Sequence, residues 1–505
     1  MSVPIISATG NLGDIVPADT SDDDPWLIEI AQDGSEQHYS YGDLRSQSNT
    51  VARGLLSRGL KRGERVAIVA ENSARYLVAY FGIMRAGLCA VPVNIKLTKD
   101  NIAHILNDSE VRLVLTDRAH TAKIPEGDAV LAIDGSDWEQ LADPGPFEPV
   151  SMQPEEFANI MYTSGSTGRP KGVPLTHGGF LFAVAISASG GDWKNERSLI
   201  AAPLYHMNGL YFSKMLAAGG GQEVLLCRFT GADYLKAIER HHCTVITSVP
   251  TMLALAMREQ TLLASLDLSS VTTVLTGSSP STGKLWADVR KAFPGATIAN
   301  SYGTTESSPI AFAPHPDGKP TPDLAFGVQS PYAELELRDG SSPDEGTLWV
   351  RHKAIMPGYL NLPEKTADKV QDGWYNTGDV MRRDPDGFFY FVGRADDMFN
   401  CGGENIYPGE VEKMLERHPA IAQAAVVPVP DEIKGMLPAA FIVTTPGTNI
   451  DRDEVKRFAL DNAPAYQHPR FVAFIDALPL SGTNKVDRSA LTTRARSFSR
   501  DNEKK

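Results

Sequence analysis

Apolar positions in YGDLRSQSNTVARGLLSRG (41–59) recur at helical spacing and stop at Gly59, which predicts a helix. ERVAIVA (64–70) is short and nearly continuously apolar, as a strand buried on both faces is. A helical period returns over SARYLVAYFGIMRAG (73–87), and CAVPVN (89–94) supplies the next strand. This β-α-β alternation implies a parallel sheet covered by helices. It recurs at VRLVLTD (111–117), at CTVITSVP (243–250) with a helix after it, and at VTTVLTGSSP (271–280).

After about residue 325 the pattern changes to short strands separated by turn residues, as in AELELRDG, EGTLWVRHK and DGFFYFVGR, and antiparallel hairpins follow. GRADDMFNCGGENIYPGEVE (393–412) then leads into a tail with its own strand and helix signals, AQAAVVPVP, AAFIVTT and RDEVKRFALDN. Roughly a hundred residues suffice for a separate small domain. The expected fold class is therefore α/β: a large N-terminal domain of βαβ-type layered sheets with a small antiparallel β subdomain, then a small α+β C-terminal domain. The boundary is placed at Asp396, giving units 1–395 and 396–505.

With 505 residues the chain is too long for one core, and its 42 % apolar and 22 % charged content is that of an ordinary globular protein. A net charge of −14 provides no global field toward nucleic acid or an anionic membrane, so any polyanion must be held locally. Four scattered cysteines form no metal-ligand spacing and suit a reducing cytoplasm. Neither a signal peptide nor a membrane span is expected.

The densest chemistry lies in IMYTSGSTGRPKGVPLTH (160–177), where hydroxyls and spaced glycines precede Lys171 behind a short apolar run. A nucleotide-kinase loop, G-x-x-x-x-G-K-[ST], fails on spacing: Arg169 and Pro170 separate Gly168 from Lys171, and Gly172 follows where a hydroxyl is needed. A Ser/Gly-rich surface turn has the same composition. The remaining reading is a loop whose N–H groups and hydroxyls surround a triphosphate, with Lys171 as a nearby cation.

Residues 162–173 match Y-T-S-G-[ST]-T-G-x-P-K-G-V throughout, and with that the chain resembles the acyl- and aryl-CoA ligases of the adenylate-forming superfamily. SYGTTE (301–306), YNTGD (375–379), GRADD (393–397), GGENIYP (402–408) and PLSGTNKVDR (479–488) follow in that family's order. The resemblance implies ATP, Mg²⁺ and coenzyme A as reactants and cofactors. A carboxylate is first joined to AMP, with loss of pyrophosphate, and a thiol then attacks the mixed anhydride.

By the same resemblance Thr163, Ser164, Gly165, Ser166, Thr167, Gly168 and Lys171 would cradle the phosphates. Lys485 would bridge carboxylate and α-phosphate, Glu306 would hold Mg²⁺, and Thr305 would bond the α-phosphate. Asp379 would accept both ribose hydroxyls, assisted by Arg394. Adenine would lie between Tyr302 and the backbone of TGSSP, with Gly277, Ser278 and Ser279 on one side and Asn300, Ser301, Gly303 and Thr304 on the other. His206, in PLYHMNGL, is the candidate gate between carboxylate and thiol channel. Asp396 would be the hinge on which the small domain turns, withdrawing Lys485 and bringing in Gly402, Gly403 and Glu404 to line the coenzyme A channel. Asn484, Asn400 and Asn405 depart from the commonest family residues.

The resemblance also implies that Met207, Tyr211, Val249 and Met252 line the acyl pocket, an apolar set that suits an aliphatic (fatty) or aromatic monocarboxylate. Malonate-type relatives place an arginine near AAGGGQEV (217–224), where glycines stand here, which argues against a dicarboxylate. No carboxylate lies at 205–207 to grip an amino acid's ammonium, and no carrier domain is expected after the charged RDNEKK terminus. An acid–CoA ligase is thus the favoured reading, acting as a cytoplasmic monomer or homodimer on small molecules. The rivals are an adenylating enzyme that loads a carrier protein, a malonate-type ligase, and a non-catalytic nucleotide binder.

Overall fold

The computed structural model describes residues 3–163, 169–401, 404–431, 433–480 and 486–502, the side chains of 341, 405 and 496–502 excepted. The first predicted helix forms at Tyr41–Ser57, where Ser40 and Asp43 make a reciprocal capping box, and Gly59 follows it with φ +86°. The second runs Ala74–Arg85 behind the N-cap Ser73. Strands form at Arg65–Val69, Cys89–Pro92, Val111–Thr116, Val245–Ser248 and Thr273–Gly277, each inside its predicted run.

Two large sheets share this pattern. One has seven strands in the spatial order Thr297–Ser301, Thr273–Gly277, Val245–Ser248, Arg197–Ile200, Gln222–Leu226, Pro25–Ile30 and Glu36–Ser40, parallel except at the last pair. The other has six, ordered Val130–Ala132, Val111–Thr116, Arg65–Val69, Cys89–Pro92, Phe157–Thr163 and Lys171–Thr176, with only the final hairpin antiparallel. Three helices, Ala74–Arg85, His177–Ala188 and Met207–Gly219, lie between them, and one continuous core joins both sheets through these helices. That position explains their composition. All but one residue of Ala74–Arg85 is buried, so it is apolar around its whole circumference rather than along a stripe.

The antiparallel strands after residue 325 form a five-stranded sheet that includes Glu345–Arg351, Trp374–Arg383 and Phe389–Arg394. A second five-stranded sheet, centred on Ile421–Asp431 and Gly435–Thr444, carries the helices Pro408–Leu415 and Arg488–Asn502 and has its own core. Asp396 sits in the turn between these bodies. Across it, Lys413 Nζ donates to Phe391 O at 2.7 Å, and Lys284 Nζ to Thr445 Oγ1 at 3.2 Å. Among the described residues no helix is long and apolar enough to cross a membrane.

Candidate active site

Parallel strands deliver their functional residues at their C-terminal ends, where the chain must turn and backbone groups are free. The strand Thr273–Gly277 ends in Gly277, Ser278 and Ser279, and its neighbour Thr297–Ser301 ends in Asn300, Ser301 and Tyr302. A Cβ on Gly277 would stand 2.4 Å from Ser301 O, so only glycine permits this pairing, and Ser278 turns the chain with φ +67°. Asn300 Nδ2 donates to Leu324 O at 2.9 Å, which leaves its Oδ1 as the acceptor for a ligand amino group.

Beyond Tyr302 the chain folds back on itself. A Cβ on Gly303 would meet Pro309 Cα at 2.7 Å. Ser308 N bonds Thr304 O at 3.0 Å, and Thr304 Oγ1 meets Ser307 Oγ at 3.1 Å. This tight turn carries Thr305 and presents the buried Glu306.

Asp379 and Arg394 face each other across neighbouring antiparallel strands, with Arg394 Nη1 at 2.8 Å from Asp379 Oδ1. Tyr302 Oη donates to Asp379 Oδ2 at 2.6 Å. Burial and the Asp379 charge hold the Tyr302 phenol well above its ordinary pKa, so it stays a donor. Burial works against the Arg394 charge, yet Asp379 more than compensates and the guanidinium stays protonated. Tyr302 also packs on Phe326 and Phe312, at 5.1 and 5.5 Å between centroids. Three of the sequence-derived residues are thus one hydrogen-bonded unit.

Thr163 and Lys171 face each other across the hairpin of strands Phe157–Thr163 and Lys171–Thr176. Ser164, Gly165, Ser166, Thr167 and Gly168 lie outside the described residues, as do Gly402, Gly403 and Lys485. Lys171 Nζ sits 4.3 Å from the Tyr359 ring centroid, and Tyr359 Oη donates to Glu306 Oε1 at 2.9 Å. Burial lowers the Lys171 pKa; Glu306 opposes this, while Lys365, Lys369 and Arg394 add to it. A Cβ on Gly378 would lie 3.1 Å from Arg394 Nη2 and 3.2 Å from Lys369 Nζ, so these two cations flank one turn. Four cations thus gather about Glu306 and Asp379, an excess of positive charge that suits a polyphosphate.

Tyr359, Lys365 and Lys369 were not anticipated. The signal was present in PGYLNLPEKTADK (357–369), where the two lysines stand four apart on the helix Pro363–Lys369 and share one face.

Among the described residues no three His, Cys, Asp or Glu side chains converge to hold a metal by themselves. Glu306 Oε2 has no hydrogen-bond partner among those residues and is a hard oxygen donor. The donor set therefore fits Mg²⁺, which Glu306 would help to hold.

His206 is the N-cap of the helix Met207–Gly219, its ring edge-on to Tyr205 at 4.7 Å. Met207 begins that helix, and Val249 is the N-cap of the helix Pro250–Ala256. Thr247 Oγ1, 3.4 Å from Asn208 Oδ1, ties the two together. Tyr211 and Met252 are buried behind them in separate cores, and Tyr211 Oη donates to Ala183 O at 2.8 Å. The glycines of 219–221 lie at the far end of the Met207–Gly219 helix from His206. Gly220 caps that helix in the left-handed conformation, with φ +70°. Asp396 is 3.4 Å from Arg394 Nη2, and Glu404 is exposed at the start of the strand Glu404–Ile406.

A family model described as AMP-binding enzyme matches residues 17–360, and one described as AMP-binding enzyme C-terminal domain matches 410–485. A feruloyl-CoA synthase of Amycolatopsis sp is 33 % identical, covering 88 % of this chain and 92 % of the relative. A 4-coumarate–CoA ligase of Vanilla planifolia is 31 % identical, with 93 % and 90 % covered. The structure also resembles an anthranilate CoA ligase solved in complex with anthranoyl-AMP, with a TM-score of 0.88, 25 % identity, and 98 % and 99 % of the two chains covered.

Proposed function

The chain belongs to the AMP-binding enzyme family, and from that premise we propose that it is an ATP-dependent acid–CoA ligase acting on an aromatic monocarboxylate. The carboxylate oxygen attacks the α-phosphorus of ATP, the bond to the pyrophosphate oxygen breaks, and acyl-AMP forms. The thiol of coenzyme A then adds to the acyl carbon, AMP leaves with the bonding pair, and the thiol proton passes to solvent.

The observation that carries this reading is the convergence of Lys171, Glu306 and the Tyr302–Asp379–Arg394 unit at the ends of the strands. Lys171, Lys365 and Lys369 offset the triphosphate charge. Glu306 would hold Mg²⁺, which neutralises phosphate oxygens when bound. Asp379 and Arg394 orient the ribose, and Asn300 faces the adenine. Lys485 is assigned the carboxylate–phosphate bridge on the strength of its motif, and Asp396 the pivot. The pivot is supported by its position in the interval between the two matched stretches, 17–360 and 410–485.

An aromatic acid is favoured because the feruloyl, coumarate and anthranilate enzymes bear such substrates in their names, and Met207 and Val249 supply apolar walls beside His206. The absence of an ammonium-binding carboxylate at 205–207 disfavours amino acids. A cytoplasmic enzyme is in keeping with four free cysteines, three of them buried. The test is AMP release from a panel of hydroxycinnamic, benzoic and fatty acids, with and without coenzyme A. Hydroxycinnamates or benzoates should lead, and AMP should turn over only with coenzyme A. Equal turnover with a phosphopantetheinylated carrier protein would favour the carrier-loading alternative.

A further inference from the structure

Tyr359 lies between the two opposite charges nearest the proposed triphosphate site. In a half-buried site such charges ordinarily collapse onto each other, yet Lys171 and Glu306 form no ion pair within 4.0 Å. Tyr359 fills the space between them. Its ring offers a π-face to the ammonium at 4.3 Å, and its hydroxyl donates to Glu306 Oε1 at 2.9 Å. Each charge thereby keeps a partner that does not neutralise it.

The backbone fixes this arrangement. Leu360 N donates to Gly172 O at 2.9 Å, beside Lys171. Met356 N donates to Glu306 O at 2.8 Å. Tyr359 N itself donates to Thr366 Oγ1 at 2.9 Å. The 356–360 segment therefore bridges the strand that carries Lys171 and the turn that carries Glu306. Gly358 has φ +150°, and a Cβ there would stand 2.6 Å from Thr366 Cγ2, so the bridge is tightly closed just before the tyrosine. Tyr359 is 6 % exposed and cannot swing aside.

We propose that Tyr359 is a positioning residue: it holds the Lys171 and Glu306 charges apart and aims the second Glu306 oxygen at the cation on the triphosphate. This rests on the ligase reading and adds to it a residue that touches neither acid nor thiol. Without the hydroxyl, the Glu306 carboxylate turns toward Lys171, and both charges are spent on each other.

The test is Tyr359→Phe, which removes one oxygen. Mn²⁺ affinity in the presence of ATP, read by electron paramagnetic resonance, should fall about tenfold, the size of one hydrogen bond to a charged group. The Mg²⁺ concentration needed for half-maximal pyrophosphate exchange should rise in parallel. Thioester formation from supplied acyl-AMP needs neither metal nor triphosphate and should stay within about twofold. In a Glu306→Gln background, Tyr359→Phe should cost nothing further, because the carboxylate it serves is gone. Mn²⁺ affinity unchanged within twofold would overturn the proposal, as would equal loss in both half-reactions or an additive loss on Glu306→Gln. Tyr359→Met gives the same readouts should the phenylalanine variant not fold. A wild-type enzyme that exchanges pyrophosphate with no carboxylate defeats the ligase reading instead.

Discussion

Replacing Asp379 with asparagine is the most discriminating perturbation of the ribose site. The carboxylate has about four lone-pair positions. One on Oδ1 is taken by Arg394 at 2.8 Å and one on Oδ2 by Tyr302 at 2.6 Å, leaving one on each oxygen for the two ribose hydroxyls. Asparagine keeps a single carbonyl oxygen. It must face Arg394, since an NH₂ there would point donor at donor, and the NH₂ then faces the Tyr302 hydroxyl. One ribose hydroxyl loses its acceptor, and the other bonds a neutral oxygen in place of an anion. A hydrogen bond to a charged group is worth about 1.5–3 kcal/mol and a neutral one about 1, so the combined loss is about 2–5 kcal/mol. Affinity for AMP should therefore fall about 30- to 5000-fold. Titration calorimetry with AMP, and with its 2′-deoxy and 3′-deoxy analogues, measures this. Wild type should discriminate strongly against both analogues, whereas Asp379→Asn should bind one of them about as well as AMP. An asparagine variant that binds AMP within threefold of wild type and keeps both discriminations refutes the assignment of Asp379 to the ribose.

Three further outcomes are expected. Glu223 is buried, Ser213 Oγ donates to its Oε1 at 3.1 Å, and burial raises its pKa from 4.5 to about 8. The folded state then binds the extra proton between those values, so its contribution is complete below about pH 4.5 and is lost as pH rises through 8, a swing of up to about 5 kcal/mol. Unfolding of Glu223→Gln should be flatter with pH over that window, and parallel wild-type and variant curves would count against it. Gly277→Ala places a methyl against Ser301 O and should cost about 1–3 kcal/mol, seen as a lower melting temperature and weaker ATP binding. Lys413→Met removes the donor to Phe391 O, so proteolysis around 394–397 should accelerate several-fold; an unchanged rate would show that this contact does not hold the small domain.

The elements were legible wherever period and punctuation agreed. Gly59 closes its helix as the sequence suggests, and Ser40 with Asp43, and Ser73, cap the helix starts, because capping is a local matter. The division of the parallel strands into two sheets was not legible. VRLVLTD and VTTVLTGSSP have the same texture, yet they fall in different sheets, because pairing is decided by the buried helices between. In the site, motif residues such as Lys171 and Glu306 were readable, while their partner Tyr359 was not: its role depends on two backbone bonds to segments about 190 and 50 residues away.

The strengths of the contacts around Asp396 bear on how the small domain could turn there. Arg394 spans two carboxylates, Asp379 through Nη1 and Asp396 through Nη2 at 3.4 Å. On the other side of the boundary, Arg488 bonds Glu412 through both terminal nitrogens, at 2.6 and 2.9 Å, and reaches Asp397 at 3.5 Å. Asp396 is 71 % exposed, and an exposed pair of that length is worth less than about 1 kcal/mol. The bidentate Arg488–Glu412 pair lies within the small domain, where it is half-buried, and it survives any rigid rotation. A pivot at Asp396 therefore sacrifices the cheapest charge contact in the neighbourhood and keeps the expensive ones whole. What would oppose rotation is instead the interface, where the Lys413 ammonium bonds the Phe391 carbonyl and the Lys284 ammonium bonds Thr445 Oγ1. On the proposed pivot, the barrier to turning would reside in the interface rather than in the hinge, as a rigid-body mechanism needs.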